Sequence, residues 1–396
     1  MNNRSLVRPA LLSKINERQV LRAIQTHGAL SRAEVSRRSG ITPPTVSKAV
    51  EALISAHFLE EDSPDVAFGR PAKKLRMATS AIQVLGLVID AGECRAVSTG
   101  LDGVIHPGRT RAFPTPDTYE KLIEQTVYHL NHFLQNPNVK TLGIGISIPG
   151  LVDYRQSRGL LSPNVPITNE HSPLHDIENH LDIPCVLVHE PHALCLAERY
   201  FGNARGLDDF AMLDVSTGVG LGVMSGGRLL SGQSGLAGEI GHITVDIHGR
   251  RCGCGNMGCL ETVACDSALA YICSQKLGRR VNIYEVIELA QSKEHYPAEE
   301  LETLVAYLSV GLAAVINLFN PSSLFLHGNL FEIDADLFTR VIAETGKRAL
   351  RPSFDECQII QARGSKRQGA IAAIIEHLID SLVPQMMTER RGDEKE

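Results

Sequence analysis

Three cysteines fall within eight residues, as Cys252-x-Cys254-x4-Cys259, and His242 stands ten positions before the first of them. The chain around them, GEIGHITVDIHGRRCGCGNMGCLE (238–261), is rich in glycine and suited to tight turns. Three soft thiolates and one imidazole complete a tetrahedron around a single ion, so this clustering favours metal binding over a disulfide framework. With His242, Cys252, Cys254 and Cys259 all supplied by the protein the site is closed: one structural Zn2+ per chain is expected, with no open position for a hydrolytic water. Any fold of this chain must therefore bring position 242 against 252–259. That convergence also gathers Glu239 and Glu261, which flank the cluster in sequence. A metal-bound imidazole keeps its second nitrogen for another partner, and an imidazole edge with two carboxylates suits the hydroxyls of a polyol.

At 396 residues the chain has room for about three domains of ordinary size. Its 43% hydrophobic and 21% charged residues are the balance of a soluble globular protein. No run of 18 consecutive apolar residues occurs, which speaks against a membrane span. The stretch MNNRSLVRPALLSK has neither the apolar centre nor the small-residue cleavage site of a secretory signal, so a cytoplasmic location with reduced cysteines is expected. The net charge of −6 conceals an asymmetry. Residues 1–76 hold 13 Lys and Arg against 7 Asp and Glu, and the remainder holds 26 against 38. A basic head on an acidic body points to a polyanionic partner for the head alone.

The head reads as three helices and a hairpin. KINERQVLRAIQTH (14–27) sets Ile15, Val20, Leu21 and Ile24 on one helical stripe, which Gly28 ends. Ser31 is an N-cap with Glu34 as its capping-box partner, opening a helix over 32–39 that stops at Gly40. Thr42 caps a third helix with Pro43 at its first position and Val46, Ala49, Val50 and Leu53 on its buried face. Two short helices joined through a glycine turn make a helix-turn-helix, and the exposed start of the third helix carries Thr45, Ser47 and Lys48, where a recognition helix meets base edges. FLEEDSPDVAFGRPAKKLRMA (58–78) reads as a hairpin with a basic tip, a wing whose Arg70, Lys73 and Lys74 reach the minor groove or phosphates. Arg32, Thr45, Ser47, Lys48, Arg70 and Lys73 are the candidate contacts to double-stranded DNA. One recognition helix per head is too small for strong specificity, so a homodimer or homotetramer on an inverted-repeat operator is expected.

From Leu85 onward the texture is α/β. Strand patterns at 85–105, 141–153 and 210–232 alternate with helical stretches at 118–135, 191–201 and 300–319. The strand-turn-strand units at Asp90 and Asp214 hint at an internal duplication, two similar halves each on a mixed sheet. The expected division is a winged helix-turn-helix domain over 1–80, a first lobe over 81–190, and a second lobe over 191–364 carrying the zinc site and an oligomerisation surface. The last helix, about 365–385, returns to the first lobe. Leu304, Leu308, Leu312 and Val315 share one helix face that serves either lobe packing or a dimer contact, core packing being the commoner use. The loop Asp214-Val-Ser-Thr-Gly-Val-Gly-Leu-Gly could cradle phosphates or make a plain tight hairpin, and it is not a Walker motif.

In order and spacing, the winged-helix head, the Asp90 loop, the Ser216-Thr217-Gly218 loop, Gly238-Glu-Ile-Gly-His242, the three cysteines and NLFNPSSLFLHG (317–328) resemble the ROK family of repressors, open reading frames and sugar kinases. The likeness covers nearly the whole chain, and the DNA-binding head makes it similar to the family's N-acetylglucosamine, glucose and xylose repressors. The resemblance implies a two-lobed actin-like, hexokinase-like (ribonuclease H-like) body with a sugar or sugar phosphate in its cleft. It implies sugar contacts from Asn164, His189, Glu190, Glu239, His242 and Glu261. Three departures from the family's kinases matter. Their Asp-x-Gly-Gly-Thr phosphate loop is here Asp90-Ala-Gly92-Glu93-Cys94, with the Glu93 carboxylate where phosphates would lie. Their Asn-Asp pair is here His189-Glu190, so Glu190 stands at the position of the kinase base on a side chain one methylene longer; a misplacement of about 1 Å costs on the order of a hundredfold in rate. Their late glycine pair is here Gly328-Asn329. The expectation is no enzyme but a kinase-like scaffold used as sensor, a sugar-responsive repressor of carbohydrate uptake or catabolism genes. The alternatives are an active ATP-dependent sugar kinase with a regulatory head, and a repressor controlled by a protein partner with a vestigial pocket.

Overall fold

Capping chemistry sets the first helices of the chain, whose computed structural model describes residues 9–62, 73–294 and 296–383. Helix α1 (Pro9–His27) buries Val20, Leu21 and Ile24 and gives way at Gly28. At the end of β1 (Leu30–Ser31), the Ser31 hydroxyl accepts from the Glu34 N–H while the Glu34 carboxylate accepts from the Ser31 N–H. This capping box opens α2 (Arg32–Ser39), which Gly40 closes in the left-handed region at φ 71°. Thr42 is the N-cap of α3 (Pro43–Ser55) but makes no side-chain cap bond. Pro43 and Pro44 fill the first two helical positions and remove the nearer backbone donor, and Thr42 Oγ1 lies instead 3.0 Å from Thr45 Oγ1. Strands β2 (Leu59–Glu61) and β3 (Lys74–Met77) pair antiparallel, with β1 added to β3, and form the stem of the wing. The wing tip, Arg70 included, lies outside the described residues.

Two sheets with the same plan follow. The first is built from β4 (Ile82–Val88), β5 (Glu93–Thr99), β6 (Thr110–Pro114), β7 (Lys140–Ile148) and, after the small hairpin β8 (Leu151–Asp153)–β9 (Arg158–Leu161), β10 (Cys185–His189), with α4 (Tyr119–Asn131) and α5 (Pro173–Leu181) between them. Its order is β10-β7-β4-β5-β6, with β4 antiparallel to β5 and parallel to β7. Helix α6 (Glu190–Phe201) leads to the second. There β11 (Phe210–Asp214), β12 (Gly220–Ser225), β13 (Arg228–Leu229), α7 (Asp266–Leu277), α8 (Ile283–Gln291), α9 (Ala298–Phe319), β14 (Ser323–His327), α10 (Leu337–Gly346), α11 (Arg351–Glu356) and β15 (Gln358–Gln361) give the order β13-β12-β11-β14-β15. Strand β11 is antiparallel to β12 and parallel to β14, so β11 repeats the part played by β4. Asp90 follows β4 and Asp214 ends β11, which makes the repetition around these two residues a property of the topology.

The last helix, α12 (Lys366–Ser381), crosses back and packs on β4, β7 and α6. It also touches the head. Arg22 of α1 lies 2.8 Å from Asp380 and 3.3 Å from Glu376 of α12, and the Tyr200 hydroxyl of α6 donates to Glu376. One apolar core runs from Leu21, Ile24 and Leu53 of the head to Ile371, Ile375 and Ile379 of α12, so the head is packed on the body and not merely tethered to it.

Helix α9 reaches a mean hydropathy of 1.7, long and apolar enough by length and composition to cross a membrane. Leu304, Leu308, Leu312 and Val315 are at most 1% exposed and sit with Leu260, Leu269 and Leu326 in the core of the second half. That face is used for packing, which removes it as a dimer contact. Leu312→Ala should cost about 2–5 kcal/mol, read from denaturant unfolding. Sedimentation should show an unchanged oligomeric state; a variant that dissociates without losing stability would return this face to an interface.

Candidate functional site

The stretch Gly238 to Glu261 folds back on itself because its glycines let backbone meet backbone. Ile240–His242 form a short 3-10 turn against β12, and a Cβ at Gly241 would stand 2.1 Å from the Val219 carbonyl oxygen. At Gly258 (φ 64°) a Cβ would stand 1.6 Å from the Asp246 carbonyl oxygen, so only glycine lets the cysteine loop close over His242. The donor atoms of His242, Cys252, Cys254 and Cys259 all lie within 4.8 Å of one another. Cys254 Sγ is 3.8 Å from Cys259 Sγ, and Cys252 Sγ is 3.6 Å from His242 Nδ1. A tetrahedral ion with the bond lengths usual for zinc sets sulfur about 3.8 Å from sulfur and about 3.6 Å from nitrogen. These four residues could therefore hold a metal ion.

Because Nδ1 faces the thiols, His242 turns Nε2 elsewhere, 3.8 Å from Glu239 Oε2. Glu239 Oε1 is buried without a hydrogen-bond partner, and burial pushes this carboxyl up, with His242 opposing the rise and Glu261 adding to it. Glu261 Oε1 lies 3.4 Å from the Cys252 thiol, and its Oε2 accepts from the Val219 N–H at 3.4 Å. The cysteine loop is thus tied to the Ser216-Thr217-Gly218 loop.

A second polar centre lies at the start of α12, around a residue that the sequence analysis did not single out. Lys366 Nζ pairs with Glu190 and lies 3.2 Å from Asp90 Oδ2. Burial pushes the Glu190 carboxyl up, and the Lys366 ammonium opposes it. Burial would lower Lys366, but Glu190, Asp214 and Asp90 outweigh it and hold the ammonium charged. Asp214 pairs with His327 Nδ1 at 2.8 Å; burial would raise its carboxyl, but this bond and charge hold it below the usual range. A cavity of about 1050 Å³ opens beside these groups, lined by Asp90, Ser216, Thr217, Asp266, Lys366 and Arg367 among others. The missed signal was available: Lys366 and Arg367 stand in the first turn of a helix, where the macrodipole disfavours cations.

Of the remaining candidates, Glu93 lines this cavity, Asn164 and His189 are not among its lining residues, and the DNA-contact candidates lie on the head. His189 is the buried N-cap of α6; its backbone N–H donates to the Tyr154 hydroxyl, and its ring meets His192 edge-on at 5.5 Å. Burial, reinforced by His192, pushes the His189 imidazole down to about 3, so it is neutral. Asn164 is exposed, on a loop whose Pro163 comes close to Gly253 of the cysteine loop. The repulsion expected from Glu93 needs correction: its carboxylate accepts from Arg95 Nε at 2.6 Å, so a cation at the same cavity edge offsets its charge. On the head, Lys48 is exposed while Thr45 and Ser47 are half-buried on α3. Arg32 and Lys73 both pair with Glu61, each at 2.7 Å. Ion pairs that are open to solvent in part, as these are, contribute little to stability.

The ROK family profile matches residues 88–377, and a winged helix-turn-helix DNA-binding profile matches residues 14–60. The N-acetylglucosamine repressor of Escherichia coli O6:H1 is 27% identical over 395 residues, which cover 96% of this chain and 97% of that protein. A solved ROK family transcriptional regulator, a homolog of the E. coli MLC protein, superposes with a TM-score of 0.79 at 25% identity, covering 94% of this chain and 98% of its own. The ROK hexokinase of Thermus thermophilus superposes with a TM-score of 0.64 at 27% identity, covering 76% of this chain and 99% of its own. The chain belongs to the ROK family and carries a winged helix-turn-helix head on a body with the hexokinase-like fold.

Proposed function

We propose that this protein is a sugar-responsive, DNA-binding repressor of carbohydrate uptake or catabolism genes, acting in the cytoplasm as a homodimer or homotetramer on an inverted-repeat operator. The observation that carries the reading is the shared core between head and body, with α12 touching the cleft at Lys366 and the head at Glu376 and Asp380. A ligand that moves the cleft end of α12 changes the seat of α1, and through it the presentation of Thr45, Ser47 and Lys48. Arg32 at the start of α2 adds a further contact, and Lys73 and Arg70 of the wing reach the minor groove or the phosphates. The working division is head 1–80, first lobe 81–190 and second lobe 191–364.

The cysteine cluster holds one structural Zn2+ through His242, Cys252, Cys254 and Cys259. The ion supplies folding energy and fixes the His242 ring, whose free Nε2 joins Glu239 and Glu261 in meeting sugar hydroxyls. The orphaned, buried Glu239 Oε1 supports this assignment, because a buried acceptor of that kind calls for a donor. Asn164 and His189 border the same sugar. Glu190, engaged by Lys366, is not a free base, which supports a sensor over a kinase.

Operator release measured by fluorescence anisotropy across a panel of hexoses, pentoses, amino sugars and their phosphates tests the reading; release by none of them would defeat it. Sugar-dependent ATP turnover abolished by Glu190→Gln would install the kinase reading instead. Lys48→Ala should weaken operator binding by about 1–3 kcal/mol if it meets a base, or reduce the salt slope by about 1 if it meets a phosphate. Metal analysis should find about one zinc per chain in the parent. Cys254→Ser should lose zinc, thermal stability and the sugar response together, whereas Glu239→Gln should keep zinc and stability and lose sugar affinity. A metal-free protein that folds and still releases DNA on adding its sugar would refute the coupling.

A further inference from the structure

Asp90 follows the central strand of the first sheet, and Glu190 is the first residue of α6. Their carboxylates converge on one ammonium, Lys366 Nζ, which reaches them from the first turn of α12. Asp214, at the end of the central strand of the second sheet, adds its charge to the same ammonium while its own hydrogen bonds go to His327 and Ser216. Carboxylate oxygens that meet in this way beside an open cavity are the donors that a hard divalent cation takes. A divalent ion that escorts phosphates uses one or two such carboxylates and completes its shell with water and phosphate oxygens. Here the meeting point is filled by a side chain. Lys366 is only 18% exposed and stands where the helix dipole opposes it, so the carboxylates are what favour its charge there.

We propose that Lys366 is the resident cation of the cleft: its ammonium occupies the place where a divalent ion would bridge Asp90 and Glu190, and thereby excludes metal–phosphate complexes from it. A tethered monovalent charge neutralises the pair without an open coordination position and repels a second cation at short range. The cleft then needs no divalent ion to hold its carboxylates together, and a nucleotide arriving with its metal finds the position taken. The functional meaning rests on the sensing reading of the cleft, but the exclusion itself is measurable without sugar or nucleotide.

The probe is Mn2+ alone, titrated calorimetrically into the zinc-loaded full-length chain, with the thermal midpoint followed in parallel. The parent and Lys366→Arg should show no site. Lys366→Ala should bind one Mn2+ on the order of tenfold or more tighter than the parent and be stabilised by it. Lys366→Ala with Glu190→Gln should lose that gain. Lys366→Met, which keeps the length of the stem, guards against a packing defect, and folding of either variant only when Mn2+ is supplied is also a supporting result. The proposal is overturned if the parent binds Mn2+ as tightly as Lys366→Ala, if the folded variants gain no site, or if they fold in neither condition. Sugar-dependent ATP turnover by the parent would end the sensing reading and leave the Mn2+ result standing.

Discussion

Helix α12 lies against the first sheet so closely that a Cβ at Gly145 of β7 would stand 1.8 Å from the Ala370 carbonyl oxygen. On its other side, a Cβ at Gly369 would stand 2.6 Å from the Ala193 backbone of α6. The helix is therefore clamped between strand and helix, with Ile371, Ile374 and Ile375 sealed beneath it. Its entry is fixed as well. The buried Glu198 carboxylate accepts from the backbone N–H groups of Asn203, Arg363 and Gly364, at 2.6, 3.0 and 2.7 Å. From Lys366 to Asp380 the helix covers about 21 Å at 1.5 Å per residue. One rigid element thus ends at the cleft carboxylates and at the DNA-binding head, and its placement sets the geometry of both.

The cleft distributes its negative charge among distinct partners. Asp90 and Glu190 share Lys366, Asp214 takes His327, and Asp266 accepts from the backbone of Asn329 and Leu330. Among the described residues, Glu239 is the carboxylate left with a buried oxygen and no partner. A buried acceptor without a donor is costly. The body shares its fold with a hexokinase and with a transcriptional regulator. The fold alone does not separate enzyme from sensor.

The helices of the head were legible, because their signals are local. Ser31 with Glu34, Gly40 at its left-handed position and the Val46–Leu53 face all depend on neighbours three to seven residues away. The Thr42 side chain failed as a cap for an equally local reason, the two prolines after it. The cysteine cluster was legible because ligand spacing in a short glycine-rich loop leaves few ways to fold, and the separations of Cys254 from Cys259 and of Cys252 from His242 are those of tetrahedral edges. The repetition about Asp90 and Asp214 also showed in the strand patterns before the two sheets displayed it.

By itself, the sequence determined the helices of the head with the Ser31 and Gly40 caps, the convergence of His242 with the three thiols and the basic character of the head, since each follows from chemistry within a few turns of chain. Tertiary structure alone decided which charges meet. Lys366 is 276 positions from Asp90, and Arg22 is 358 from Asp380. The apolar face of α9 would have suited either a core or a partner, and the helices and strands packed around it made it core. Periodicity says that a face is buried and a charge needs a partner; only the packing of distant elements says against what.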